Sequence, residues 1–169
     1  MEWSIKNFGE LSGADIYRIL QARVQVFMLE QACLYPELDG KDMACYHLLA
    51  EKDGIVTAYC RLVPPGVSYP QASIGRVLVH PDYRGQGLAQ ELMSRALAFL
   101  AEEWNEAGVQ IQAQQYLRRF YGSFGFQAVS DVYLDDGIPH VDMILGSGHS
   151  DRRSGPRPLP GPHGLQAGK

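Results

Sequence analysis

The sequence predicts an α/β fold, with a mixed, mostly antiparallel sheet of about seven strands flanked by about four helices. The stretch 73–100 reads as a short apolar strand, a turn rich in Gly and Pro, and an amphipathic helix, and a second apolar strand follows at 109–113. A helix between two strands favours a right-handed parallel crossover. Upstream, two strand-like runs meet at Asp53-Gly54, a dipeptide typical of tight antiparallel hairpins.

The amino-terminal part is predicted to contain an edge strand and a helix. Residues 3–6 have the composition of a short strand at a sheet edge. Ser12 and Asp15 offer a capping pattern for a helix, with apolar residues at positions 16, 19, 20, 24 and 27. Residues 28–43 mix four carboxylates with Pro36 and Gly40, which favours irregular turns or a second short helix.

Three antiparallel strands are predicted to form the first half of the sheet. The runs 46–51 and 55–63 meet at the Asp53-Gly54 turn, and a wider loop at 64–70 leads into the central strand 74–79. Strands that follow one another in sequence are usually neighbours in the sheet, so we expect these three to lie side by side.

The central strand leads into a turn and a long helix. The turn at 80–87 contains Pro81, Gly85 and Gly87, and glycine permits a tight turn that a residue with a Cβ would resist. From Leu88 onward, apolar residues have the spacing of a helix packed on a sheet, at positions 89, 92, 93, 96, 97, 100 and 104. One face of this helix is therefore expected to be buried.

The remaining elements complete the predicted fold. After the strand 109–113, a short helix turns Arg118 and Arg119 outward, and its apolar face holds residues 117, 120, 121 and 124. Residues 127–133 and 140–145 are expected to pair antiparallel across an Asp-Asp-Gly-Ile-Pro turn. An exposed hairpin of this kind could serve a homodimer.

Length and composition predict one domain, residues 1–145, followed by a disordered tail, residues 146–169. Of the 169 residues, 46% are hydrophobic and 20% are charged, which is enough for one substantial core. The tail is rich in Gly and Pro and contains only two Leu, too little apolar surface to offset the entropy of ordering.

Charge, cysteine content and hydropathy argue against several classes of protein. A net charge of −4 disfavours nucleic acid as the main partner, because proteins that bind the phosphate backbone usually carry a basic face. Three cysteines without C-x-x-C spacing indicate neither a disulfide framework nor a zinc site. The chain has no leader-like start and no apolar run of membrane-spanning length. We therefore expect a cytoplasmic protein without a metal or a membrane partner.

The turn at 84–89 has the features of a cradle for a diphosphate. The first N–H groups of a helix have no partner within it, and the aligned peptide dipoles place a partial positive charge there. Gly87 and Ala89 leave room for a bulky anion, and Arg84 adds a full positive charge at the rim. The stretch is not a Walker loop, because no Gly-Lys-Ser/Thr follows.

Two markers in this order resemble those of the GNAT acetyltransferases. Arg84-Gly85-Gln86-Gly87-Leu88-Ala89 resembles the R/Q-x-x-G-x-G/A signature, whose residues bind the coenzyme, and LRRFYGSFGF at 117–126 looks like the second marker, a short helix with Tyr before a Gly-Phe. Features at 23–31, 39–40 and 136–140 are similar to the ElaA-like branch, and the similarity runs from about residue 3 to residue 145. The resemblance implies parallel, splayed fourth and fifth strands, with acetyl-CoA as the acetyl donor.

The resemblance also implies which residues surround the thioester. Val77, Leu78 and Val79 would run alongside the pantetheine arm, with the Leu78 N–H reaching the thioester oxygen; a preset donor of this kind contributes roughly 3 kcal/mol. Tyr121 occupies the superfamily's Tyr position and would protonate the departing thiolate, since a phenol of pKa about 10 can donate to a thiolate as it forms. Gln114 stands where relatives often have an Asn bonded to the pantetheine.

Glu30, His47 and His140 are candidates for binding the acceptor amine, and Glu30 and His140 are the favoured general bases. An alkyl ammonium has a pKa near 10.4, so a modest base suffices, and histidine titrates near neutrality. Each residue also has a structural interpretation. Glu30 could pair with Arg23, His47 could be a satisfied strand residue, and His140 could brace its turn against a carbonyl.

Arg23, Arg61 and Arg76 lie on or beside apolar stretches and require partners. Arg23 either packs its stem and extends its head to water or binds the acceptor. Arg61 and Arg76 interrupt strands, where a buried charge needs an internal carboxylate such as Glu30 or Asp39. Alternatively, these arginines hold a carboxylate or phosphate of the acceptor, which would favour a small anionic amine.

Together these features predict an enzyme that moves an acetyl group from acetyl-CoA to a primary amine of a small molecule. Because no cysteine is expected beside the thioester, direct attack in a ternary complex is the predicted mechanism. Acetylation of a protein amino terminus or lysine is one alternative. A non-catalytic module that binds CoA as a sensor is another.

Overall fold

The computed structural model describes residues 1–106 and 108–146, which form eight strands and three α-helices. The predicted tail, apart from Gly146, lies outside the described residues. The strands are β1 (Glu2–Asn7), β2 (Tyr46–Lys52), β3 (Ile55–Val63), β4 (Ser73–Val79), β5 (Val109–Gln114), β6 (Gln127–Ala128), β7 (Tyr133–Asp135) and β8 (Ile138–Leu145). The helices are α1 (Gly13–Arg23), α2 (Leu88–Glu103) and α3 (Arg118–Gly122).

The first sheet has the order β1-β2-β3-β4, and all its pairings are antiparallel. At the hairpin between β2 and β3, Asp53 and Gly54 both have positive φ, 51° and 75°, as the tightest hairpin turns require. This confirms the predicted hairpin and the three neighbouring strands that follow from it.

The second sheet has β8 at its centre, paired with β5, β6 and β7. One parallel bridge, between Ala72 and Val109, joins it to the first sheet, and the Gln110 N–H donates to the Ala72 carbonyl at 3.0 Å. Within the described residues β4 and β5 form no further ladder. The predicted parallel pair is therefore present but splayed, and a gap opens between β4 and β5.

The prediction of one continuous strand over residues 127–133 is wrong, because the strand is interrupted at its centre. The structure ends β6 at Ala128 and begins β7 at Tyr133. Between them the Ser130 hydroxyl accepts from the Asp142 N–H at 2.9 Å and donates to a neighbouring carbonyl. A serine side chain that bonds to the backbone in this way competes with the strand ladder.

Helix α2 covers one face of the first sheet and the junction with the second. Its buried side chains recur at helical spacing, as predicted, and belong to a core that includes residues of both sheets. They are Leu88, Leu92, Met93, Ala96 and Leu100. The strand–turn–helix unit therefore lies where the two sheets diverge.

Helix α1 covers the opposite face of the first sheet. Ser12 and Asp15 form the predicted capping box, with N–H to oxygen distances of 2.9 and 3.0 Å. After Arg23 the helix continues as a π-helix, Val24–Glu30, that buries Val26 and Phe27. None of the helices in the described part of the chain combines the length and apolarity that crossing a membrane requires.

Candidate functional site

The predicted cradle forms a turn with open space above it. Gly85 and Gly87 have φ of +76° and +79°, and an added Cβ at either would meet no described atom within 4 Å. No side chain of the described residues caps α2 at Gly87. The first helical bond runs from the Glu91 N–H to the Gly87 carbonyl at 3.2 Å, so the N–H groups of Leu88 and Ala89 precede the helical ladder. An anion can approach these groups directly.

Arg84 lies at the rim of the cradle, where it forms an ion pair. Its guanidinium donates to both carboxylate oxygens of Glu30, at 2.7 and 2.9 Å, and its Nε donates to the Val79 carbonyl at 3.1 Å. Glu30 therefore pairs with Arg84, not with Arg23 as the sequence suggested. This pair joins the π-helix to the end of β4.

A bulge in β4 faces the gap between the two sheets. Tyr59 is opposite Leu78 and Arg61 is opposite Gly75, so Arg76 and Val77 together oppose one residue of β3. Arg76 has a positive φ of 53°. Extra residues of this kind bend a strand and interrupt its pairing, and here the bulge lies where β4 leaves β5.

The register indicates that the prediction for the Leu78 N–H is wrong. The His80 N–H donates to the Thr57 carbonyl at 2.8 Å, and hydrogen-bonded and non-bonded pairs alternate along an antiparallel ladder. Leu78 therefore directs its N–H towards β3. Val79 directs its backbone away from β3, in agreement with the Arg84 Nε bond to its carbonyl. The backbone that borders the gap belongs to Val79 and to the bulge residue Val77.

Tyr121 places an unsatisfied hydroxyl in the interior. Its side chain is fully buried, and its hydroxyl has no hydrogen-bond partner among the residues that the structure describes. Burial raises the pKa of Tyr121 well above its ordinary value, with a further contribution from Cys60, the residue of β3 opposite the bulge. The phenol therefore stays protonated and lies on the side of β4 where the bulge is found.

Gln114 and His140 face each other at the end of the second sheet. They form a cross-strand pair of β5 and β8. The Gln114 side chain donates to the Gln31 oxygen at 3.2 Å, next to the Glu30 that pairs with Arg84. His140 lies on β8, so β5 separates it from the gap. The bond between Gln114 and Gln31 shows that His140 faces the segment that follows the π-helix.

His140 presents an imidazole nitrogen that has no partner among the described residues. Its Nδ1 is 2.6 Å from the Ile138 carbonyl, and because a carbonyl only accepts, Nδ1 carries the proton. Its Nε2 is buried and has no partner in the described range. Burial lowers the pKa of His140. Bracing of the turn against a carbonyl is confirmed, and the same bond leaves Nε2 as a neutral, basic nitrogen.

His47 is occupied on both sides, as its structural interpretation predicted. Its Nε2 lies 3.0 Å from the Asp42 carbonyl and its Nδ1 lies 2.7 Å from the Tyr59 hydroxyl. The carbonyl requires a proton on Nε2, so Nδ1 accepts from the tyrosine. Burial lowers the pKa of His47. Neither nitrogen is therefore free to take a proton from an amine that accepts the acetyl group.

The three arginines are buried in a network with carboxylates of the segment 31–44. Arg23 donates to Glu37 at 2.6 Å and to Asp42 at 2.7 Å. Arg76 also donates to Glu37, at 2.9 Å. The expectation that the head of Arg23 reaches water is wrong, because the side chain is fully buried and its partners lie in a loop that folds back over α1.

Arg61 completes this network and confirms one predicted partner. It binds both oxygens of Asp39, at 2.7 and 2.8 Å, and Asp42 at 3.0 Å. Burial acts to raise the pKa of Asp42, but Arg23 and Arg61 lower it to about 2. Three guanidinium groups thus face three carboxylates, which leaves no excess positive charge and argues against an anionic acceptor held by these arginines.

Sequence reasoning missed a second group of polar residues. Asp135 and Asp142 lie close to His140 and act on its pKa, and both belong to the second sheet. The sequence pattern that could have identified this group is the alternation along β8, in which the polar residues His140 and Asp142 alternate with Pro139 and Val141. The described residues contain no group of three His, Cys, Asp or Glu placed to hold a metal ion.

Comparison with known proteins gives the family. The sequence model of a protein family, described as the acetyltransferase (GNAT) domain, matches residues 17–146 of this chain. The protein ElaA of Escherichia coli is 39% identical over 145 residues, which cover 85% of this chain and 95% of that protein. A UPF0039 protein of Schizosaccharomyces pombe is 40% identical over 147 residues, 86% of this chain and 97% of that protein.

Solved structures give the same result. A crystal structure of an acyl-CoA N-acyltransferase from Pseudomonas aeruginosa has a TM-score of 0.82 and 41% identity, covering 86% of this chain and 99% of that one. The crystal structure of E. coli ElaA has a TM-score of 0.80 and 38% identity, covering 85% and 99%. The cradle, the splayed strands and these similarities lead to one conclusion. The chain belongs to the GNAT acetyltransferase family and is an ElaA-like member of it.

Proposed function

We propose that this protein transfers an acetyl group from acetyl-CoA to a primary amine, by direct attack of the amine on the thioester. Membership of the GNAT family supports acyl transfer. The observation that carries the finer proposal is the buried hydroxyl of Tyr121, which has no partner among the described residues. A buried hydroxyl without a partner costs free energy, and a leaving thiolate would supply that partner.

The residues present fit the coenzyme. The uncapped start of α2, with open space above Gly85 and Gly87, suits a diphosphate. The gap between β4 and β5 is bordered by the backbone of Val77 and Val79, which can pair with an extended chain that carries amide groups. When bound, acetyl-CoA supplies an acetyl group activated as a thioester.

The side chains around the gap suit the two proton transfers. As the nitrogen–carbon bond forms, the amine releases a proton to His140 Nε2, which is neutral and has no other partner in the described residues. As the carbon–sulfur bond breaks, Tyr121 donates its hydroxyl proton to the sulfur. Glu30 is less suited to accept the proton, because both its oxygens bind Arg84.

Cys60 does not suit a covalent mechanism, although it lies opposite the bulge. It is fully buried, and burial raises the pKa of its thiol. A thiol held in its neutral form is a poor nucleophile. Direct attack by the amine therefore agrees better with the site than transfer through an acyl-cysteine.

The proposal is tested by calorimetric titration with acetyl-CoA and CoA. The parent should bind both, and Gly87→Glu should lose binding because a carboxylate enters the cradle. Gly54→Glu is the matched control, since Gly54 has a similar φ of +75° and equally open space but lies in a distant hairpin. Absence of binding to the parent, or equal loss in the control, would overturn the proposal. Release of free thiol in the presence of amines then measures turnover.

A further inference from the structure

One face of the second sheet is lined by buried polar side chains. In a strand, residues two apart share a face, and the cross-strand pairs Gln112–Asp142 and Gln114–His140 lie side by side on β5 and β8. All four side chains are buried. The residues that alternate with them belong to the apolar core under α2, namely Ile111, Ala113, Val141 and Met143. The polar face is therefore turned away from α2.

The segment after the π-helix lies across this polar face. Gln31 accepts from Gln114 at 3.2 Å, and the Cys33 thiol donates to the Asp136 carbonyl at 3.6 Å. The same segment continues into Glu37, Asp39 and Asp42, the carboxylates that bind the buried arginines. The face and the segment together enclose the acceptor side of the gap.

The charges on the polar face are not balanced. Asp142 accepts from the Tyr133 hydroxyl, and Asp135 accepts from the Gln112 amide at 3.0 Å. Both donors are neutral, so neither of them supplies a positive charge opposite a carboxylate. No ion pair of the described residues includes Asp135 or Asp142. Burial, with smaller contributions from these two carboxylates, raises the pKa of Tyr69.

His140 is an independent sign of a ligand on the same face. Its Nε2 is fully buried and unpartnered within the described part of the chain. A buried nitrogen that can accept but has nothing to accept from costs free energy, and the group it lacks is a hydrogen-bond donor. A donor that also carries positive charge would satisfy the histidine and the carboxylates together.

We propose that the acetyl acceptor is a linear diamine or polyamine, with its reacting amine at His140 and its second ammonium between Asp135 and Asp142. This inference rests on the proposed function and names the class of substrate. Residues 140 and 142 are separated by about 7 Å along an extended strand. A chain of about four or five methylene groups spans that distance. The inference replaces the anionic acceptor that the arginines suggested in the sequence.

Three acceptors with the same five-carbon chain test the inference, because they differ in the distal group. They are 1,5-diaminopentane, pentylamine and 5-aminopentanoate, whose distal ends are positive, neutral and negative. We expect kcat/KM for the diamine to exceed that for pentylamine about tenfold, as close charge pairs at interfaces do, and the aminopentanoate to be the poorest acceptor. Equal values, or a preference for the aminopentanoate, would overturn the inference.

Variants separate charge from structure. Asp142→Asn and Asp135→Asn should each lower kcat/KM for the diamine about tenfold more than kcat/KM for pentylamine. Asp131→Asn, an exposed residue of the preceding loop, is the matched control and should change neither. Tyr133→Phe removes the neutral partner of Asp142 but keeps the carboxylate, so it should keep the preference for the diamine. Equal losses for both amines in the Asn variants would show a structural role and contradict the inference.

Binding measured without turnover distinguishes the two proposals. Calorimetric titration of the CoA-loaded protein with the three amines should detect the diamine and lose it in Asp142→Asn. Selective binding without acetylation would overturn the proposed function but support the cation site. Acetylation without charge selectivity would support the function and overturn the cation site.

Discussion

Removing the Tyr121 hydroxyl is expected to stabilise the free protein and to impair the reaction. The ring packs against Phe120 and Phe126, with centroids 5.1 and 6.1 Å away, and Tyr121→Phe keeps those contacts. The hydroxyl itself is buried without a partner in the described residues, which costs about 1–3 kcal/mol. We therefore expect the free energy of unfolding, measured in urea, to rise by about 1 kcal/mol.

Tyr59→Phe is the matched control, because Tyr59 is equally buried but its hydroxyl is bonded. That hydroxyl lies 2.7 Å from His47 Nδ1. Its removal leaves the histidine nitrogen unpaired in the interior, which costs about 1–3 kcal/mol. The two substitutions remove the same atom from two buried tyrosines and should change stability in opposite directions.

The two variants should also differ in activity. With acetyl-CoA and an accepted amine, Tyr121→Phe should lower kcat by about 10²–10⁴, the usual contribution of a positioned proton donor. Tyr59→Phe should retain most of kcat, since Tyr59 lies in the core under α1. A loss of stability in Tyr121→Phe would show that its hydroxyl has a partner in the free protein, and an unchanged kcat would refute its role as proton donor.

Three further predictions concern the buried charges and the base. Arg61→Met should lower the free energy of unfolding by about 3–5 kcal/mol, because it leaves carboxylates buried without their partner; Arg118→Met, at an exposed position, should change it by less than about 0.5 kcal/mol. The pKa of Asp42 is about 2 against an ordinary 3.8. Its contribution of roughly 2 kcal/mol to the free energy of unfolding is therefore present above pH 4 and is lost as the pH falls through 2. In an acid titration, Asp42→Asn should lose less stability than the parent between about pH 4 and pH 2. His140→Gln should lower kcat about 100-fold at neutral pH and abolish the fall in rate at acidic pH. In the parent this fall lies below pH 6.5, because burial lowers the pKa of His140. The control His47→Gln should keep the acidic fall in rate, and a fall that persists without His140 would identify another base.

Local signals in the sequence predicted most of the fold. The capping pair Ser12–Asp15 marks the start of α1, and Asp53-Gly54 fixes the hairpin between β2 and β3. The start of α2 follows from Gly87 and the apolar spacing after it. Each of these features is decided by residues within one turn or one hairpin, so a single sequence contains the information.

Features that depend on distant contacts could not be predicted. Arg23 has Glu30 nearby in sequence but binds Glu37 and Asp42, because the segment between them folds back over the helix. The direction of the Leu78 N–H depends on the register with β3. Neither the path of a loop nor a register is encoded in the spacing of residues along one element.

The polar face of the second sheet was missed for a related reason. The apolar strand predicted at 109–113 includes Gln112 and ends before Gln114, and only their pairing with Asp142 and His140 shows that they share a surface. The interruption at Ser130 was missed because its partner, the Asp142 N–H, lies on another strand. Individual residues were identified correctly as candidates, but which of them meet is a property of the assembled sheet.

The π-helix at Val24–Glu30 sets the phase between two parts of the molecule. An α-helix advances by about 100° for each residue, and a π-helix takes up extra residues within its wider turns. In this phase Arg23 points into the buried carboxylates while Glu30 reaches Arg84 at the cradle. If the same residues were wound as an α-helix, Glu30 would rotate away by about 100°, with Arg23 left in place. The wider turns of this segment therefore keep Arg23 directed at the buried carboxylates and Glu30 directed at the cradle.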